Sequence, residues 1–181
     1  MCSSDLVWAG AGCLALAAGG VAFLALPSSG VPHVLVIPDQ IGSYTKQPGL
    51  AKKMDAAALQ QQIVAKSAGE AKNVVVAVYQ DRTGPAAKAN PQIILFIGGN
   101  LTRTSDGGFI DTFTSQSAGA ERIDPGPLGG SAACLPRGSS GVAECVWADN
   151  DTFGVIASQT LSVTDLASEL RTARPEIEHR K

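Results

Sequence analysis

The chain has 181 residues, with 14 Lys and Arg against 16 Asp and Glu, and no block of like charge stands out. This near balance argues against nucleic-acid binding, which requires a basic face to neutralise phosphates. Roughly 150 residues follow an N-terminal apolar run, and that length suits one domain with a modest core.

The first six residues, MCSSDL, look like a translated sequencing-adapter remnant, and we interpret residues 1–6 as an artefact. On that interpretation Cys2 is not a biological thiol, and Asp5 carries no information about topology. The coding sequence would then be a fragment that lacks the native residues before Val7. A genuine N-terminus is the alternative.

Residues 6–26 read LVWAGAGCLALAAGGVAFLAL and contain no charged side chain. As a helix the run would be about 31 Å long, which matches the hydrocarbon core of a bilayer. We therefore expect a transmembrane helix at 6–26, followed by a short linker at 27–32. A cleaved signal peptide and a buried soluble helix are the alternatives, but the run is long for the first and rich in glycine for the second.

Residues 33–181 predict the elements of one domain. Branched apolar runs indicate strands, capping residues indicate helix starts, and residues 46–53 read as a loop. In chain order, the prediction is a strand at 33–37, a helix at 55–67 capped by Asp55, strands at 73–80 and 92–98 joined as a long antiparallel hairpin, and a short helix at 109–116 capped by Asp106.

Two cysteines, Cys134 and Cys145, flank the turn-rich segment LPRGSSGVAE. Two antiparallel strands at 129–134 and 142–149 would bring the two side chains within disulfide range. Zinc ligation is an alternative, although His33 and His179 are expected at opposite ends of the domain; unpaired thiols are another. A disulfide requires an oxidising compartment, so we expect the domain outside the cytoplasm and the N-terminus inside.

The C-terminal part predicts a second hairpin and a closing helix. The hairpin turns at Asn150 and Asp151 into a strand at 152–158, and the helix starts at Ser162 and ends at Pro175. The predicted order is β-α-β-β-α-β-β-β-α. We therefore expect an α+β fold, in which an N-terminal transmembrane helix precedes one domain with an antiparallel sheet and helices packed on one side.

Three segments carry a family resemblance: HVLVIPDQIGSY, CVWADNDTFGVI and LASELRTARPEIE. Together they resemble uncharacterised actinobacterial single-pass membrane proteins, and the likeness covers most of residues 7–181. The resemblance implies a Pro/Gly/Gln-rich cytoplasmic tail before the span and a disulfide-bearing extracytoplasmic domain. It transfers architecture and no catalytic residues.

A search for chemistry finds no Gly-x-Ser-x-Gly elbow, Walker loop or His-Glu-x-x-His. His33 and His179 are interpreted as solvated surface residues. The segment 149–151 (Asp-Asn-Asp) is interpreted as a turn rather than a calcium loop, because Phe153 stands where an oxygen ligand belongs and Thr160 stands where a bidentate Glu belongs. We therefore expect no catalytic, cofactor-binding or metal-binding residues, and no cofactor.

Two further patterns have an interpretation from packing or solvation. Trp147 is expected to pack in the core against the disulfide, with an exposed binding aromatic as the alternative. The C-terminal charges balance one another, and we interpret them as a solvated helix face, with an interface as the alternative; they are Arg171, Arg174, Arg180, Lys181, Glu169, Glu176 and Glu178.

The resulting expectation is a membrane-anchored extracytoplasmic domain that acts without catalysis in interaction or sensing at the cell surface. Its expected partners are the membrane, through its own helix, and a protein or cell-envelope ligand, but not nucleic acid. A binding module for a small molecule or cell-wall fragment is one alternative, and an enzyme of unrecognised type is another.

Overall fold

The computed structural model describes residues 33–66, 70–81, 91–102, 106–139 and 141–180. The expected transmembrane helix at 6–26 and the linker at 27–32 lie outside these residues. Within the described ranges, no helix is long and apolar enough to cross a membrane.

The described residues contain ten strands and four helices. The strands are β1 His33–Leu35, β2 Gln40–Ile41, β3 Tyr44–Lys46, β4 Ala71–Asp81, β5 Gln92–Leu101, β6 Glu121–Ile123, β7 Ser131–Leu135, β8 Ala143–Ala148, β9 Thr152–Ser158 and β10 Glu178–Arg180. The helices are α1 Pro48–Lys53, α2 Ala56–Lys66, α3 Asp106–Gln116 and α4 Val163–Ile177.

One eight-stranded antiparallel sheet, in the order β2-β3-β4-β5-β9-β8-β7-β6, forms the body of the domain. The predicted hairpin of β4 and β5 is confirmed, and its register pairs Val76 with Ile97. The predicted cysteine hairpin is also confirmed, with Cys134 directly opposite Cys145. The two remaining strands, β1 and β10, form a separate antiparallel pair.

Helices cover both faces of the sheet, so the prediction that they pack on one side is wrong. Alternate residues of β8 show the two faces: Cys145 and Trp147 belong to the core that α4 covers. Val146 and Ala148 belong to the core that α2 and α3 cover. The physical reason is that the central strands are apolar on both faces, and each face must be removed from water.

The helix boundaries differ from the sequence prediction in three places. Residues 48–53, expected as loop, form α1 with Pro48 in its first turn, where its missing N–H costs little. The helix expected at 109–116 already begins at Asp106. The last helix continues through Pro175 to the buried Ile177, because a proline in the last turn removes only one backbone hydrogen bond.

Strand β1 lies across the α4 face of the sheet, at the end of β5. A Cβ at Gly98 would lie 2.8 Å from Leu35 Cδ1, so a glycine at this position allows β1 to approach the sheet. Val36 N–H donates to the carbonyl of Ile177 at 2.8 Å, and Asn100 Nδ2 donates to the carbonyl of His33 at 3.2 Å. These contacts position β1, which begins at His33, against the sheet and the end of α4.

Candidate functional site: a buried ionic cluster at the start of β1

Five charged or titratable side chains meet where β1 begins, and we call them the His33 cluster. They come from four places in the chain: the start of β1, the turn between β8 and β9, which supplies two of them, the last turn of α4 and the start of β10. Its members are His33, Asp149, Asp151, Arg174 and Glu178.

Asp149 stabilises the turn between β8 and β9, because its Oδ1 accepts three hydrogen bonds from residues of the turn. Its Oδ1 accepts hydrogen bonds from the backbone N–H of Asp151 at 3.3 Å and of Thr152 at 3.1 Å. The same oxygen accepts from the Thr152 hydroxyl at 2.8 Å. The predicted turn is therefore confirmed, and it leaves the second oxygen of Asp149 for other contacts.

Glu178 is buried on the α4 face beside Trp147. Its Oε2 accepts from the Trp147 indole N–H at 3.0 Å and from Arg174 Nε at 2.8 Å. Trp147 also stacks on Phe96, with ring centroids 5.9 Å apart, and is completely buried. The prediction that Trp147 packs in the core is confirmed, and its N–H has the partner that a buried indole requires.

Arg174 is 1% exposed, and its guanidinium donates hydrogen bonds to backbone carbonyls and to carboxylates. Nη1 donates to the carbonyls of Gly129 at 2.6 Å and Pro125 at 3.3 Å. Nη2 lies 3.3 Å from Asp149 Oδ2 and 3.4 Å from Glu178 Oε1. The interpretation of the C-terminal charges as a solvated face is thus wrong for Arg174 and Glu178, since tertiary packing gives both of them buried partners.

His33 is held through its backbone and its ring. Its N–H donates to Asp151 Oδ2 at 2.8 Å, and its Nδ1 lies 3.0 Å from Asp151 Oδ1. The same Nδ1 lies 3.3 Å from Asp149 Oδ2 and 3.8 Å from Glu178 Oε1. The prediction of a solvated His33 is wrong, because only 12% of its side chain is exposed.

His179 is exposed, as predicted, but it is not distant from His33. It pairs with Val34 in the β1–β10 register, so the two ends of the domain lie side by side. The argument that the histidines sit at opposite ends of the domain is therefore wrong. Sequence separation hid the contact, because β10 has only three residues and does not resemble a strand alone.

Charge in the cluster is unequal, with three carboxylates against one guanidinium. Burial raises the pKa of Glu178, and its hydrogen bond to Asp149 raises that pKa further, against the opposing effect of Arg174. Burial also acts against the charge of Asp149, but hydrogen bonds involving Glu178, Thr152 and Asp151 outweigh it and hold the pKa of Asp149 below its usual value. Of this pair, Glu178 is the carboxyl that retains a proton more readily.

The cysteine pair forms a second, separate feature. Cys134 and Cys145 are joined by a disulfide, and both are buried in the core that α4 covers. The predicted disulfide is confirmed. Disulfides form and persist in oxidising compartments, which this feature indicates for the domain.

Together, the fold and the site define a class: an α+β domain with a disulfide-closed hairpin and a buried ionic cluster that joins its first strand to its last. No protein-family model, curated protein or solved structure matches the chain. The resemblance to actinobacterial single-pass membrane proteins therefore stays a prediction.

Proposed function

We propose that the chain is a membrane-anchored extracytoplasmic domain that acts without catalysis, in sensing or interaction at the cell surface. The observation that carries the proposal is the attachment of His33 to the His33 cluster. His33 begins β1, and only residues 27–32 separate it from the apolar run at 6–26. The cluster thus ties the domain to the segment that leads to the proposed anchor.

The disulfide supports the proposed side of the membrane. Cys134 and Cys145 are paired within the sheet, and such pairs do not persist in a reducing cytoplasm. With one span at 6–26, a C-terminal domain outside the cytoplasm requires a cytoplasmic N-terminal side.

The attachment of β1 supports sensing, because this strand lies outside the eight-stranded sheet. Among the described residues its only strand partner is the three-residue β10, and a short two-stranded sheet is marginal in water. Besides the His33 cluster, β1 is held by the packing of Leu35 beside Gly98 and by the hydrogen bond from Asn100 to the His33 carbonyl. A change in the charge or occupancy of the cluster would therefore release β1 before it unfolds the sheet. Release would lengthen the tether between the domain and the membrane, and a partner in the envelope could respond to that difference.

Two experiments test the proposal. Alkaline phosphatase fused after Lys181 should be active in a bacterial host, and a cytoplasmic reporter at that position should be inactive. The opposite pattern would contradict the orientation.

For the role of β1, intact cells expressing the chain are treated with an external protease that cuts within 27–37. His33→Gln should increase cleavage severalfold, because it removes the imidazole that faces the three carboxylates. His179→Gln is the matched control, since this exposed ring lies on the neighbouring strand. Equal cleavage of the two variants would contradict the proposed release of β1.

A further inference from the structure

The three carboxylates of the His33 cluster each direct one oxygen at the same imidazole nitrogen. The other oxygen of each is already occupied: Asp149 Oδ1 by the turn amides, Glu178 Oε2 by Trp147 and Arg174, and Asp151 Oδ2 by the His33 amide. The remaining oxygens lie near His33 Nδ1: Asp151 Oδ1 at 3.0 Å, Asp149 Oδ2 at 3.3 Å and Glu178 Oε1 at 3.8 Å. Arg174 Nη2 also donates to two of these oxygens, Asp149 Oδ2 at 3.3 Å and Glu178 Oε1 at 3.4 Å, so an imidazole and three carboxyl groups converge on one point beside a guanidinium.

The cluster also holds more acidic groups than permanent cations, because three carboxyl groups face one guanidinium. The side chains of Glu178 and Asp149 are 0% and 6% exposed, so water contributes little to solvating them. Buried acidic groups are normally paired or coordinate a metal.

Two of the three distances from His33 Nδ1, 3.0 and 3.3 Å, suit a metal ion, and the third, 3.8 Å to Glu178 Oε1, is longer by about 0.4 Å. Ligand atoms about 2.1 Å from a metal lie roughly 3.0–3.4 Å from one another in octahedral or tetrahedral geometry. One ligand atom each from His33, Asp149 and Glu178 all lie within 4.8 Å of one another. Asp151 Oδ1, at 3.0 Å from His33 Nδ1, adds a fourth donor.

We propose that His33, Asp149, Glu178 and Asp151 form a binding site for a divalent transition-metal ion of the Zn²⁺ type. An imidazole nitrogen among the donors favours zinc over Ca²⁺ and Mg²⁺, which take oxygen ligands. Arg174, Trp147 and Thr152 hydrogen-bond the ligating carboxylates and hold them in place, the role that outer partners play in metal sites. All four ligands lie within the domain, so zinc binding can be tested independently of the proposed membrane anchor.

Zinc titration of the full chain in detergent, after treatment with a chelator, tests the site. Calorimetry at pH 7.5 should show one high-affinity Zn²⁺ per chain, and Zn²⁺ should raise the unfolding temperature. His33→Gln should weaken binding at least tenfold and remove the thermal shift, whereas His179→Gln should bind like wild type. Zinc-edge X-ray absorption should show one imidazole and oxygen donors without sulfur, which distinguishes this site from one built on cysteine thiolates.

Asp151→Asn provides a second variant if His33→Gln does not fold, because the Asp151 side chain is 27% exposed and lies at the rim of the cluster. It should also weaken zinc binding at least tenfold. The proposal is overturned by equal affinity in wild type and His33→Gln, or by sulfur ligation. It is also overturned if Zn²⁺ neither binds the wild-type chain nor raises its unfolding temperature.

Discussion

Gly154 lies directly opposite Trp147 in the β8–β9 register, and the indole ring fills the space that a side chain at position 154 would need. A Cβ at Gly154 would lie 2.1 Å from Cη2 and Cζ2 of Trp147. The ring cannot move aside, because Phe96 stacks on it and Glu178 accepts its N–H. Because position 154 has no side chain, the Trp147 indole can occupy this space and donate its N–H to Glu178 of the His33 cluster.

Gly154→Ala should destabilise the domain by about 3 kcal/mol, because overpacking beside a fixed ring displaces backbone or indole. Urea unfolding followed by Trp fluorescence measures the loss. Gly49→Ala is the matched control, since a Cβ there meets nothing within 4 Å. It should be neutral or stabilising by up to about 1 kcal/mol. Similar losses in the two variants would contradict the assigned packing.

Arg174→Ala should destabilise the domain by about 3–5 kcal/mol, because it leaves buried carboxylates without their cation. Arg171→Ala, one turn earlier on α4 and only half-buried, should cost about 0.5–1 kcal/mol. Chemical denaturation of both variants at pH 7 provides the comparison. A loss below about 1 kcal/mol for Arg174→Ala would show that the carboxylates do not depend on this guanidinium.

The disulfide should stabilise the domain by about 2–3 kcal/mol, as expected for closing a loop of this length in the unfolded chain. The two cysteines are 11 residues apart. Denaturation of the wild-type chain with the bond intact and after reduction under unfolding conditions measures the difference. An unchanged denaturation midpoint after verified reduction would contradict this expectation.

Glu144 should make stability fall as the pH rises. Burial raises the pKa of this carboxyl, so the folded state holds its proton more tightly than the unfolded chain does. Its contribution is therefore present below the usual value of 4.5 and is lost as the pH rises through the folded-state pKa. Glu144→Gln removes the cost of a partly buried charge and should be more stable than wild type at pH 7.

The advantage of Glu144→Gln should disappear below about pH 4, where the wild-type carboxyl is also neutral. Unfolding temperatures of wild type and Glu144→Gln between pH 3.5 and pH 7.5 measure this difference in stability. Glu121→Gln, an exposed change on the edge strand β6, should follow wild type throughout. An advantage for Glu144→Gln that does not change with pH would assign the effect to packing instead.

Local patterns in the sequence were sufficient to predict most of the sheet. Branched runs identified β4 and β5, and the cysteine spacing identified the β7–β8 hairpin together with its disulfide. Ser162 and Asp165 identified the start of α4, whose cap is formed by the Ser162 hydroxyl and the Asp165 amide at 3.1 Å. These features depend on neighbours in the chain, which is why a pattern can reveal them.

The short edge elements escaped sequence prediction. Strands β2, β3, β6 and β10 contain two or three residues each, too few for alternation to stand out. The placement of helices on both faces was also missed. Near-continuous apolar strands indicate burial on both sides, but they do not state which helix covers which face.

The sequence by itself determined an apolar N-terminal run, an α+β domain with an antiparallel sheet and a cysteine pair on one hairpin. Only the tertiary structure brought His33 to Asp149, Asp151 and Glu178, across more than 100 residues of chain. The physical reason is that each of these side chains looks solvated beside its own neighbours. Their burial comes from the pairing of β1 with β10 and from the packing of α4 on the sheet, which no local pattern records.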